Sequence, residues 1–168
     1  NLVLLLPLAG IAGLCLLSMS GTGAGRDRAV RGWTLGVMLV QFVLTAWLYV
    51  RFDATAAGLQ FATDVPWIAD WGVGYRIALD GYNVLLVLLT AFLGPLVVAS
   101  AFTAIRKDVP LFYAMVLLIQ FAMLGAFLAQ DLFLFYVFWE AMLIPMFLII
   151  GIWGGERRIY ATLKFVLY

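Results

Sequence analysis

The 168-residue chain contains no histidine and one cysteine, and only 11% of its residues are Asp, Glu, Lys or Arg. Without imidazole, this segment has no histidine metal site and no histidine proton switch. The single thiol, Cys15, cannot close an internal disulfide, and in an apolar stretch it reads as an inert packing residue. Ten Lys and Arg against nine Asp and Glu leave a formal charge of +1, which excludes a basic nucleic-acid binder. No Gly-rich phosphate loop follows a strand, no residues stand at metal-ligand spacing, and no Ser/His/Asp set is present. Gly151, Gly154 and Gly155 mark a helix end and a turn rather than a nucleotide site. Hydrolytic and redox chemistry therefore have no residues to rest on in this stretch.

Apolar residues make up 66% of the chain, and the mean hydropathy is +1.10. Soluble proteins are about half apolar, so this is an integral membrane protein. A helix rises about 1.5 Å per residue and the hydrocarbon core is about 30 Å thick, so about twenty apolar residues cross it. Five such spans fall at 2–20, 33–52, 83–104, 110–129 and 131–152, within a single membrane domain over 1–168. The first lacks the basic start and the cleavage site of a secretory signal, and it reads as a mature helix. A sixth span opens at Ile159 and reaches Tyr168, incomplete at about 15 Å. The expectation is an all-α polytopic bundle that is part of a longer protein.

Loop charges set the orientation. Residues 21–32 carry Arg26, Arg28 and Arg31 against Asp27, 105–109 carry Arg106 and Lys107, and 153–158 carry Arg157 and Arg158. All three loops fall on one side, and the positive-inside rule makes that side cytoplasmic, with the N-terminus outside. The extracytoplasmic loop 53–82 carries Asp53, Asp64, Asp70 and Asp80 with Arg76, and Asp131 marks the other outer turn as an exposed acid. Short apolar stretches broken by Gly, Pro and Asp suit a hairpin or an interfacial segment there, with Trp67 and Trp71 at headgroup level. Packing and docking of another subunit are both open roles for this loop.

Glu140 is the most informative residue. It lies near the middle of Leu132 to Ile152, and hence near the membrane midplane. Placing a carboxylate there costs about 2.5 to 3.5 kcal/mol on insertion scales. Such a group is retained for a partner, a water-filled cavity or an ion path, and burial favours its protonated form. Proton or ion translocation is the leading reading; a structural carboxyl that joins helices is the plain one. Tyr136 stands one turn earlier on the same face. Gln41 and Gln120 lie near the centres of the second and fourth spans, as proton-path support or as interhelical hydrogen-bond partners. Pro145 frees the carbonyl of Ala141 beside the acid, either as a packing kink or as a means of hydrating Glu140. Lys164 falls at an estimated depth within about 6 Å of Glu140, which suggests an ion pair or water-bridged pair; snorkelling to the headgroups is the alternative.

The stretch LFYVFWEAMLIPMFLIIGIWGGERRIYATLKFVLY closely resembles the fifth helix, cytoplasmic loop and sixth helix of the subunit M (chain 4) family of respiratory complex I, the proton-pumping NADH–quinone oxidoreductase. DGYNVLLVLLTAFLGPLVV looks like the third helix of the same family. The resemblance implies an antiporter-like subunit fold, of which this chain holds five full helices and the start of a sixth. It implies a proton-translocating membrane-arm subunit of that oxidoreductase, coupled to quinone reduction elsewhere, with no redox site of its own. NADH, FMN, iron–sulfur clusters and quinone would be bound by other subunits, leaving no cofactor in this chain. Glu140 matches the family's essential acid and Lys164 a lysine of its sixth helix, which assigns both to a proton relay. The implied partners are neighbouring antiporter-like subunits and membrane lipids, with no nucleic acid. The implied location is the bacterial inner membrane, with the mitochondrial inner membrane second. The alternative is a subunit of a multisubunit cation/proton antiporter or of a membrane-bound hydrogenase, which are similar in fold.

Overall fold

Inside a bilayer the backbone has no water to bond, so a long apolar run must close its own hydrogen bonds as a helix. The computed structural model follows that rule; it describes residues 1–19, 23–53, 55, 58–68 and 72–167. In chain order these form α1 (Leu2–Met19), α2 (Ala24–Arg51), β1 (Gln60–Ile68), β2 (Val73–Leu79), α3 (Asn83–Ala104), α4 (Val109–Leu128), α5 (Leu132–Trp153) and α6 (Arg158–Leu167). Helices α1 to α5 are long and apolar enough to cross a membrane, in agreement with the five expected spans.

The span limits hold to within a few residues, except at α2. That helix begins at Ala24 rather than at 33, so Arg26, Arg28 and Arg31 ride on its first two turns instead of a loop. Charge marks the edge of the hydrocarbon, not the end of the helix. Arginine is a good helix former, and its long stem carries the guanidinium outward.

Loop 53–82 is a hairpin. Strands β1 and β2 pair antiparallel, from Gln60 opposite Leu79 to Ile68 opposite Val73. Trp67 stacks edge-on against Phe133, with ring centroids 6.0 Å apart. Trp71 and Asp70, assigned to this loop from sequence, lie outside the described residues. The hairpin is tied to its own chain at the α4–α5 turn: Gln130 N–H donates to the Arg76 carbonyl at 2.8 Å. Asn83 Nδ2 donates to the carbonyls of Ala78 and Phe127, at 3.0 Å each. This two-stranded sheet is the departure from an all-helical chain.

Helix α4 is the hub, touching α1, α2, α3 and α5. One core cluster gathers Val3, Leu4, Ile77, Leu79, Val87 and Leu124 at the hairpin end. The other gathers Leu14, Val30, Met38, Val98, Tyr113 and Leu117. Glycine makes room between α4 and α5: the Phe138 ring lies against Gly125, in space that a side chain at 125 would fill.

Three helices carry an internal proline: Pro7 in α1, Pro95 in α3 and Pro145 in α5. Pro7 removes the N–H that would have bonded the Val3 carbonyl. Gln41 Nε2 on α2 supplies the replacement, at 2.8 Å. Cys15 is a free thiol, exposed on α1.

Candidate functional site

Helix α5 begins where the Asp131 carboxylate accepts hydrogen bonds from the Phe133 and Leu134 N–H groups, at 2.9 and 3.3 Å. Gly74 N–H reaches its other oxygen at 3.4 Å, and Arg76 stands 3.7 Å away. Arg76 also pairs with Asp64 at 3.1 Å. Asp131 is therefore a helix cap and a clasp for the hairpin, with a side chain only 12% exposed, and not the exposed acid expected. Burial pushes its pKa up, but the N–H donors of Leu134, Gly74 and Phe133, together with Arg76, outweigh this and hold it below the ordinary value.

From that fixed start, α5 packs on α4 through Leu134, Phe138 and Pro145. Phe138 meets Phe121 edge-on, with centroids 5.4 Å apart. At about 100° per residue, those three side chains centre roughly 140° around the helix from Glu140. Glu140 thus lies on the opposite, open face of α5, with Tyr136, Leu143, Ile144 and Phe147. The Tyr136 side chain lies close enough to the Glu140 carboxyl to interact with it. An i, i+4 Tyr–Glu pair on an apolar helix is the core of the site.

The other candidates are placed elsewhere. Pro145 is buried on the α4 side, away from Glu140. Gln120 is buried between α4 and α3, and its Nε2 donates to the Thr90 carbonyl at 3.2 Å. Thr90 stands five residues before Pro95 on α3. Gln41 is fully buried between α2 and α1, its Nε2 on Val3 and its Oε1 without a hydrogen-bond partner. Both glutamines thus make interhelical bonds to backbone carbonyls, and the structure does not join either to Glu140.

Lys164 lies on α6, which packs on α5 with Gly151 and Thr162 in van der Waals register. Lys164 follows Thr162 by two residues on the same helix, so α6 carries it alongside α5, the helix that bears Glu140.

Sequence reasoning used the basic loops only as orientation markers and did not see that three of their arginines converge. Arg28 and Arg31 of α2 and Arg106 after α3 line one cleft, with Ala24, Asp27, Phe102 and Thr103. Arg31 Nη2 donates to the Ile105 carbonyl at 2.8 Å, and Trp153 Nε1 donates to the Lys107 carbonyl at 2.8 Å. These bonds hold the three basic loops at one end of the bundle. Asn1 bonds Thr63 and Tyr75 of the hairpin at the other end.

Comparison with known proteins places this arrangement among others. The family model described as NADH:quinone oxidoreductase/Mrp antiporter, transmembrane, matches residues 129–168, the stretch that holds Tyr136, Glu140, Pro145 and Lys164. NADH-quinone oxidoreductase subunit M of Rhodobacter capsulatus is 44% identical over 168 residues, covering 100% of this chain and 32% of that protein. The chloroplastic NAD(P)H-quinone oxidoreductase chain 4 of Chaetosphaeridium globosum is 37% identical over 143 residues, covering 84% of this chain and 28% of that one. A chain of respiratory complex I from Thermus thermophilus with bound NADH superposes with TM-score 0.76 at 33% identity, covering 99% of this chain and 32% of that one. A chain of the Mrp complex from Dietzia shares the fold, with TM-score 0.74 at 19% identity over 96% of this chain and 17% of that one. This chain spans about a third of the length of the curated relatives it matches.

Proposed function

Because the chain belongs to the subunit M family of NADH–quinone oxidoreductase, we propose that it carries part of a proton channel in the membrane arm of that enzyme. Glu140 is the protonatable relay, and Tyr136 holds its carboxyl. Quinone reduction takes place in other subunits, and the work done here is proton movement. The partners are the neighbouring membrane-arm subunits. The membrane is the bacterial inner membrane, with the basic end of the bundle in the cytoplasm and the N-terminus outside.

The observation that carries this reading is the position of Glu140. The carboxyl lies midway along an apolar span, beside Tyr136 and off the face that packs α5 on α4. The chemistry that a carboxyl beside a phenol offers is gain and loss of a proton. The cation/proton antiporter reading is the alternative. It shares the fold at 19% identity, against 33% for the complex I chain.

The test uses full-length protein in the assembled complex. Glu140→Gln keeps shape and hydrogen bonding but removes the titratable group. Assembled complex should lose most proton pumping, while Glu140→Asp retains part of it. Normal proton-to-electron stoichiometry in assembled Glu140→Gln enzyme would leave Glu140 as packing and end the relay assignment.

A further inference from the structure

The cleft between the start of α2 and the end of α3 has a volume of about 480 Å³ and is lined by Arg28, Arg31 and Arg106, with Asp27 as its one carboxylate. Asp27 is already engaged: Arg26 Nη2 stands 3.4 Å from its Oδ1. Among the described residues, no carboxylate lies within ion-pair distance of Arg28, Arg31 or Arg106. Arg31 is anchored through one Nη to the Ile105 carbonyl, while its Nε–H is buried without an acceptor. A buried, unbonded guanidinium N–H is costly, and the site supplies no acceptor for it. Three cations thus converge against one carboxylate that is already paired.

Depth identifies the kind of anion. The last twenty residues of α2, 32–51, span about 30 Å and fill the hydrocarbon, so Arg31 lies at its border. Helix α3 ends at Ala104, which puts Arg106 at the same level. Phe102, below the arginines, gives the cleft an apolar wall toward the bilayer interior. That is the level of lipid phosphates, and guanidinium groups bind phosphate in a bidentate manner. We propose that this cleft holds the phosphate of an anionic phospholipid headgroup, with an acyl chain running down past Phe102. The lipid supplies the acceptor that Arg31 Nε lacks and fastens the α2 start to the α3–α4 turn.

The test is retention of phosphatidylglycerol by the full-length protein in its complex, purified in mild detergent, with phosphatidylcholine and inorganic phosphate as separate arms. Two changes are made: Arg31→Gln alone, and Arg28→Gln with Arg106→Gln, which leaves the Arg31–Ile105 bond in place. Each lost arginine should weaken phosphatidylglycerol binding about fivefold, with phosphatidylcholine unchanged. The idea falls if the double variant retains phosphatidylglycerol as the parent does. It also falls if both lipids are lost alike, or if inorganic phosphate at equal concentration displaces the lipid and protects the protein equally well.

Discussion

Gly125→Ala is the sharpest probe of how α5 is held. A methyl at this position would stand 2.5 Å from Phe138 Cγ and closer still to two other ring carbons. Phe138 cannot simply retreat, since its ring is buried against Phe121 at 5.4 Å. Overpacking of this kind costs about 1–3 kcal/mol, and replacing a mid-helix glycine with alanine returns up to about 1. The net loss expected is therefore up to about 2 kcal/mol. Gly36→Ala on α2 is the control, because a methyl there meets nothing within 4 Å; it should be neutral or slightly stabilising. The assay is unfolding of the full-length protein in mixed micelles, followed by tryptophan fluorescence. Adding Phe138→Leu to Gly125→Ala should recover part of the loss, with a coupling of about 1 kcal/mol, because shortening the ring removes the clash. If Gly125→Ala matches Gly36→Ala, or the two changes are simply additive, then Phe138 does not pack on Gly125 and the placement of the Glu140 face is wrong.

Gln41→Leu should destabilise by about 1–2 kcal/mol, because it strips the Val3 carbonyl of its donor, and Pro7→Ala should relieve that loss by restoring the helix N–H; unfolding of the two singles and the double decides it. Asp131 has a depressed pKa, so its stabilising effect is complete above its ordinary value of 3.8 and is lost as pH falls through the lower folded value. An unfolding-midpoint profile against pH should therefore fall more steeply at the acid end for the parent than for Asp131→Asn. Val65→Cys, on the exposed face of β1, should react with an impermeant thiol reagent in intact cells, and Gly25→Cys, at the start of α2, should not; the opposite pattern would invert the orientation.

What could be read from the sequence follows from which force sets each feature. The five spans and the alternation of basic and acidic ends come from the bilayer, which acts on every residue independently of tertiary contacts, so hydropathy and charge were enough. The start of α2 was misplaced because the same hydropathy measure sees arginine as loop, although helix geometry continues through Arg26, Arg28 and Arg31. The hairpin was legible from its Gly, Pro and Asp punctuation, but its attachment was not: Arg76 with Asp131 and Asn83 with Phe127 are 55 and 44 residues apart, and no local pattern encodes them. Pro7 was not singled out in the sequence, and its repair by Gln41 could not be read there, because that needs the α1–α2 register.

The site divides along the same line. Glu140 stood out because a carboxyl in an apolar run conflicts with its solvent wherever its neighbours lie. Tyr136 followed from helix periodicity alone, which keeps it on the same face of α5 as the acid. The depth match with Lys164 rested on where α5 stops, a boundary that shifts by about 1.5 Å for each residue reassigned. The face that packs α5 onto α4 and the face that bears Glu140 lie on opposite sides of one helix. Their perturbations should therefore separate: Gly125→Ala should lower stability and leave the titratable group in place, while Glu140→Gln should remove that group and leave the packing intact. That separation is what allows an assembled but non-pumping Glu140→Gln complex to be read as lost chemistry rather than lost structure.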